Sequence, residues 1–194
     1  MKQPISLGIL LFDEVEVLDF AGPFEVFTKA GMNLNPKPFD VFTLAAKLPV
    51  KCRDGLSVNP DFLLEQAPSS PILLVPGGPG ARRELAKEDF LQWLRKRAAQ
   101  TELLLSVCTG ALILAKAGLV EGLELTTRQT AVEELRALAP NAKIRTDQRY
   151  VDHGRVMLSA GVAAGIDLSL HVVRKILGEA AARETADNME YPWP

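Results

Sequence analysis

Short apolar runs alternate with amphipathic stretches along this chain, and each carries its own period. ISLGILLF (residues 5–12) is almost continuously apolar, as in a strand buried on both faces. FDVFTLAA (39–46), the run that opens PILLVPGGPG (71–80), and residues 102–107 are further strands. Between them, Gly22-Pro23 predicts a helix start with Pro in the first turn, and Gly31 its stop; Phe24, Phe27 and Ala30 recur at helical spacing. RELAKEDFLQWLRKRAAQ (83–100) reads as one amphipathic helix with Ala86, Phe90, Trp93, Leu94 and Ala98 on a single face. Asp54-Gly55 supplies hairpin-turn chemistry.

The second half continues the alternation. A helix from 109 to about 117 is stopped by Gly118, LELTT (123–127) is a short strand, and TAVEELRALAP (130–140) is a helix ended by Pro140. YVDHGRVMLSAG (150–161) predicts two short strands around a turn at His153-Gly154. Ile166, Leu170, Val173 and Leu177 line one side of a long helix closed by Gly178, and a final helix precedes an irregular end. Strands alternating with helices of crossover length predict an α/β fold with a mostly parallel sheet covered on both faces, built as one domain over 1–194.

Composition narrows the partners. The chain is 47% hydrophobic and 24% charged, with a formal net charge of −2 and no block of like charges. Neither nucleic acid nor an anionic membrane surface is an expected partner. No apolar stretch approaches the roughly 18 residues that span a bilayer, and the N-terminus lacks the marks of a signal peptide, so a cytoplasmic location is expected. Two cysteines, Cys52 and Cys108, make no disulfide framework, and no Cys/His cluster has metal-ligand spacing. Neither a metal nor a cofactor is expected.

Sites in such sheets form at the carboxyl ends of strands, where loops 13–22, 76–80 and 108–110 lie. Cys108 stands at the junction of a strand and a helix. A lone cysteine is commonly a small buried hydrophobe. A residue on a tight strand-to-helix turn, however, projects from the sheet top, and the helix N-terminus behind it favours a thiolate. Thr109 and Gly110 keep that turn small. Gly77 and Gly78 are either a plain turn or, with the Thr109 N–H, an oxyanion hole. Asp19, in apolar company, should resist ionisation and could carry a proton for the sulfur; it could equally cap the helix at Gly22-Pro23. Of the two histidines, His153 falls in a polar turn, and His171 lies one turn after Asp167, where an Asp–His contact is the simple explanation. Neither is an evident base for a cysteine peptidase.

LLFDEVEVLDFAGPFEVF, ILLVPGGPG, SVCTGALILAKAGLVEGLELTT and AGVAAGIDLSLHVV together resemble the DJ-1/PfpI superfamily, in order and across essentially the whole chain. The likeness is greatest to the isonitrile hydratase-like branch and to the amidase-like domains of AraC-type regulators. The resemblance implies a flavodoxin-like three-layer sandwich, usually dimeric, with the cysteine on a nucleophile elbow. It assigns catalysis to Cys108, Thr109 and Asp19. Around the substrate, Gly77, Gly78, Thr109, Gly110 and Gly161 are expected, with Arg128 and Asp167 as pocket candidates. Members of both groups typically follow TT with His-Trp, whereas this chain has Arg128-Gln129. No helix-turn-helix segment follows the domain, so a complete regulator is not expected.

The expected function is a cofactor-free, cysteine-dependent hydratase or hydrolase of a small molecule, converting an isonitrile to an N-substituted formamide. A redox or stress sensor built on an exposed low-pKa thiol is the alternative, as is a non-catalytic ligand-binding protein. Glyoxalase, deglycase or amidase chemistry is disfavoured by the missing histidine. Cys52 reads as structural.

Overall fold

The computed structural model describes residues 3–193; Pro194, at the end of the expected irregular tail, lies outside them. Strands β1 (Ile5–Leu11), β2 (Phe39–Ala45), β3 (Val50–Lys51), β4 (Ser57–Val58), β5 (Phe62–Leu63), β6 (Ile72–Val75), β7 (Leu103–Val107), β8 (Tyr150–Asp152) and β9 (Val156–Ser159) alternate with helices α1 (Val17–Lys29), α2 (Ala81–Glu84), α3 (Glu88–Ala99), α4 (Gly110–Lys116), α5 (Val132–Leu138), α6 (Ala164–Leu177) and α7 (Glu179–Asn188). Seven strands form one sheet in the order β5-β2-β1-β6-β7-β9-β8. Every pair is parallel except the β8–β9 hairpin, which turns at His153-Gly154 as predicted. β3 and β4 pair separately across the Asp54-Gly55 turn.

The unbroken apolar runs become central strands because both of their faces are covered. α1 packs with α6 and α7 on one side of the sheet; α4 packs with α2 and α5 on the other. α3 joins that second layer, its Arg95 Nε donating to the Ala117 carbonyl at 3.1 Å. Ile72, Leu73, Leu74 and Val75 are all buried, and each such side chain contributes about 1.5–3 kcal/mol of hydrophobic stabilisation. The mostly parallel α/β sandwich is therefore the observed fold.

Three local expectations are corrected, and one strand is added. α1 begins at Val17 rather than Gly22, with Pro23 inside it. Burial of Phe20, Gly22, Pro23, Val26 and Phe27 on one face outweighs the single backbone bond that Pro23 cannot donate. The 83–100 stretch is two helices, broken at 85–87, and Ala86 is exposed. LELTT makes only an isolated bridge, Leu125 with Ile144, because its threonines turn inward toward the sheet top. β5 was not foreseen: two residues are too few to show a period.

Candidate functional site

The chain runs outward from β1 to β2 on one side and from β6 to β7 on the other, so its order reverses between β1 and β6. The crevice at such a reversal is where parallel α/β sheets bind ligands. Asp19, the Gly77-Gly78 loop and Cys108 follow β1, β6 and β7 in turn, which brings three distant segments to one place.

Cys108 has φ 57°, the left-handed region that costs a non-glycine residue of order 1–3 kcal/mol. Neighbours hold it there. Its N–H is shared between the Ser159 and Ala160 carbonyls at 3.1 and 3.0 Å, and its own carbonyl accepts the Thr127 hydroxyl at 2.7 Å. Thr127 is a supporting residue that the sequence reading passed over as the end of a strand. Its signal is a pair of fully or nearly buried threonines in an otherwise apolar layer.

Gly77 is fixed by close approach. A Cβ there would lie 2.5 Å from Thr109 N, 2.6 Å from Thr109 Oγ1 and 2.9 Å from Asp19 Oδ2. The loop closes on both partners: Gly77 N–H donates to Asp19 Oδ2 at 3.0 Å and Gly78 N–H to Thr109 Oγ1 at 2.8 Å. The Thr109 hydroxyl donates back to the Gly78 carbonyl at 3.0 Å. The expected oxyanion hole is thereby corrected, since both glycine N–H groups are already engaged. The Thr109 N–H favours the ionised form of the sulfur. Gly110 begins α4 hard against β6, where a Cβ would come 2.2 Å from the Val75 carbonyl oxygen.

Asp19 is wholly buried in the first turn of α1 and is not the helix cap, which is Glu16. Its Oδ1 has no hydrogen-bond partner among the described residues. Burial pushes its carboxyl up to about 7, against the opposing pulls of the Gly77 N–H, the Cys108 thiol and Arg128; the Glu16 charge adds to the rise. Burial, and then the Asp19 charge, push the Cys108 thiol up to about 12. This corrects the expected exposed thiolate. Cys108 has no exposed surface, α4 is only seven residues long, and the Thr109 N–H and Arg128 pull down less than desolvation pushes up. The Asp19 charge opposes ionisation of the sulfur, so the thiol keeps its proton while Asp19 titrates near neutral pH.

The remaining candidates divide. A Cβ on Gly161 would lie 4.0 Å from Cys108 Sγ and 2.9 Å from Arg128 Cβ, so both residues border the thiol. Asp167 does not join them: its Oδ2 is bound by Arg149 Nε at 2.6 Å and its Oδ1 accepts the Tyr191 hydroxyl at 3.1 Å. His171 Nε2 pairs with Asp152 Oδ2 at 2.7 Å rather than with Asp167, because the hairpin brings Asp152 over α6. His153 Nε2 meets the Glu124 carbonyl at 2.8 Å on the surface. No group of three or more His, Cys, Asp or Glu side chains is set to hold a metal among the described residues, and none of their helices is long and apolar enough to cross a membrane.

Isonitrile hydratase of Pseudomonas putida is 31% identical over 187 residues, covering 96% of this chain and 78% of that protein. The HTH-type transcriptional regulator GbdR of Pseudomonas aeruginosa is 27% identical over 98% of this chain, which spans about half, 52%, of the regulator. A solved ThiJ/PfpI family protein from Pseudomonas syringae superposes with a TM-score of 0.87 at 26% identity, over 99% of this chain and 77% of that one. The family model described as DJ-1/PfpI matches residues 6–175, a span that holds the acid, the glycine loop and the cysteine elbow alike. The chain belongs to the DJ-1/PfpI family.

Proposed function

We propose that the protein is a cofactor-free hydratase of a small carbon electrophile, in the manner of an isonitrile hydratase. The observation that carries this reading is the Cys108–Asp19 pair: a buried thiol beside a buried carboxyl with one free oxygen and a proton affinity near neutrality. Such a pair suits α-addition, in which sulfur and hydrogen end on the same carbon.

The ionised Asp19 takes the Cys108 proton as the sulfur adds to the isonitrile carbon, and returns it to that carbon. The S–H bond and one π bond of the C≡N group break while a C–S and a C–H bond form, giving R–N=CH–S–Cys108. Water then adds to this carbon with Asp19 as base, the nitrogen is protonated, and the C–S bond breaks. The product is R–NH–CHO, and the thiol is restored. The Thr109 N–H supports the sulfur through the cycle, and the Thr109 hydroxyl locks the Gly78 loop in place. A homodimer belongs to this proposal by likeness to the family, and sedimentation equilibrium would check it.

The sensor reading draws less support, because a buried thiol whose pKa is raised holds little thiolate and reacts slowly with peroxide. The test is formamide production from a small alkyl isonitrile, followed by mass spectrometry. Turnover that disappears in Cys108→Ala supports the hydratase; wild-type protein without turnover, or Cys108→Ala with full turnover, contradicts it.

A further inference from the structure

Beside Gly161 the molecule opens into a cavity of about 450 Å³ whose wall includes Thr126, Arg128, Asp147, Arg149 and Gly161. The charges on that wall are unequally matched. Both Asp147 oxygens are taken by Arg145, at 2.9 and 2.8 Å, and Arg149 is committed to Asp167. The Arg128 side chain makes no hydrogen bond or ion pair among the described residues, although the residue is half-buried. A guanidinium so placed invites an anion. Its charge also reaches the chemistry, favouring the ionised form of both Asp19 and Cys108.

Two further observations point the same way. Thr126 lines the cavity and is fully buried, yet its hydroxyl has no partner. An unsatisfied buried hydroxyl calls for an acceptor. Gly161 lets Arg128 pack close to the sulfur: a Cβ there would lie 2.9 Å from Arg128 Cβ and 4.0 Å from Cys108 Sγ. A single free guanidinium with one hydroxyl fits a planar, singly charged anion better than a doubly charged phosphate.

We propose that this cavity selects substrates bearing a carboxylate, and that Arg128 is the residue that determines the selection. The carboxylate pairs with the Arg128 guanidinium and accepts the Thr126 hydroxyl, while the electrophilic carbon at the other end of a short substrate passes Gly161 toward Cys108. The proposal rests on the hydratase reading for the identity of the electrophile, but not for the preference in charge.

The experiment compares isocyanoacetate with its neutral methyl ester. Wild-type kcat/KM favours the carboxylate by about 10–100-fold, as a charge-assisted hydrogen bond implies. Arg128→Gln removes that advantage, bringing the carboxylate-to-ester ratio of kcat/KM close to one whatever its effect on the ester itself, and Arg128→Lys restores part of the ratio. Equal handling of both compounds by the wild type, or an Arg128→Gln variant that keeps the preference, overturns the proposal and leaves the hydratase reading standing. If neither compound is turned over, calorimetric binding to Cys108→Ser decides. A carboxylate preference that vanishes in Cys108→Ser/Arg128→Gln sustains the selectivity while the hydratase reading falls; no preference overturns the selectivity.

Discussion

Asp19 and Asp152 are two carboxylates with opposite surroundings, one at the sheet's central reversal and one at its edge. Asp152 accepts His171 Nε2 at 2.7 Å, Lys175 Nζ at 2.8 Å and the Gly154 N–H at 2.7 Å. Although partial burial opposes the change, these donors bring its carboxyl down to about 2. Asp19 has one backbone donor and an oxygen with no partner, and burial takes it up to about 7. A carboxylate that serves structure is saturated with donors. One that must exchange a proton at neutral pH is left partly unsatisfied, and the fold bears the loss of stability.

The pH dependences of the two acids therefore have opposite signs. Asp19 binds its proton more tightly in the folded protein than its ordinary value of 3.8, so it lowers stability progressively as pH rises from about 4 through 7. Asp152 binds its proton less tightly, so its contribution is full above 3.8 and is lost as pH falls through about 2.

The largest effect that would sharpen this contrast is at the nucleophile. Cys108→Ala lowers isonitrile turnover by roughly 10³-fold or more, whereas Cys52→Ala leaves kcat in place; steady-state formamide assays compare them. Asp19→Asn lowers kcat by about 10²–10⁴-fold and, at pH 8, raises the unfolding free energy measured by denaturant titration by on the order of 1–3 kcal/mol, because a buried charge is removed. A destabilised Asp19→Asn protein would break the comparison. Thr127→Val releases the Cys108 carbonyl and costs about 1–3 kcal/mol in urea unfolding, with turnover reduced as the elbow relaxes. Asp152→Asn is the smallest change: about 1 kcal/mol or less of stability at pH 7, most of that difference gone by pH 2, and unchanged kcat.

The central strands and the helices between them were legible because burial on two faces or on one stripe writes itself into hydrophobic spacing. Cys108, Asp19, Thr109 and the Gly77-Gly78 loop were also legible as one site, since each lies just after a strand that parallel topology puts side by side. Their protonation was not. Sequence suggested that a helix end would lower the thiol, but desolvation depends on how the loops close over it, and that closure is three-dimensional. Asp167 and His171 were misassigned for a related reason: helical spacing pairs them with each other, while the hairpin and the C-terminal tail bring Asp152 and Tyr191 as better partners. Thr127 escaped notice because its role is to a backbone carbonyl nineteen positions away.

The shared proton of Cys108 and Asp19 is tested most directly by the pH profile of kcat/KM for a neutral isonitrile, taken beside the same profile for Asp19→Asn. The account predicts a single ascending limb with its midpoint near 7, the value at which Asp19 becomes a base, and the disappearance of that limb in the variant. A wild-type profile that is flat from pH 5 to 9, or one that rises only at the ordinary ionisation of a free thiol, about 8.5, would contradict it.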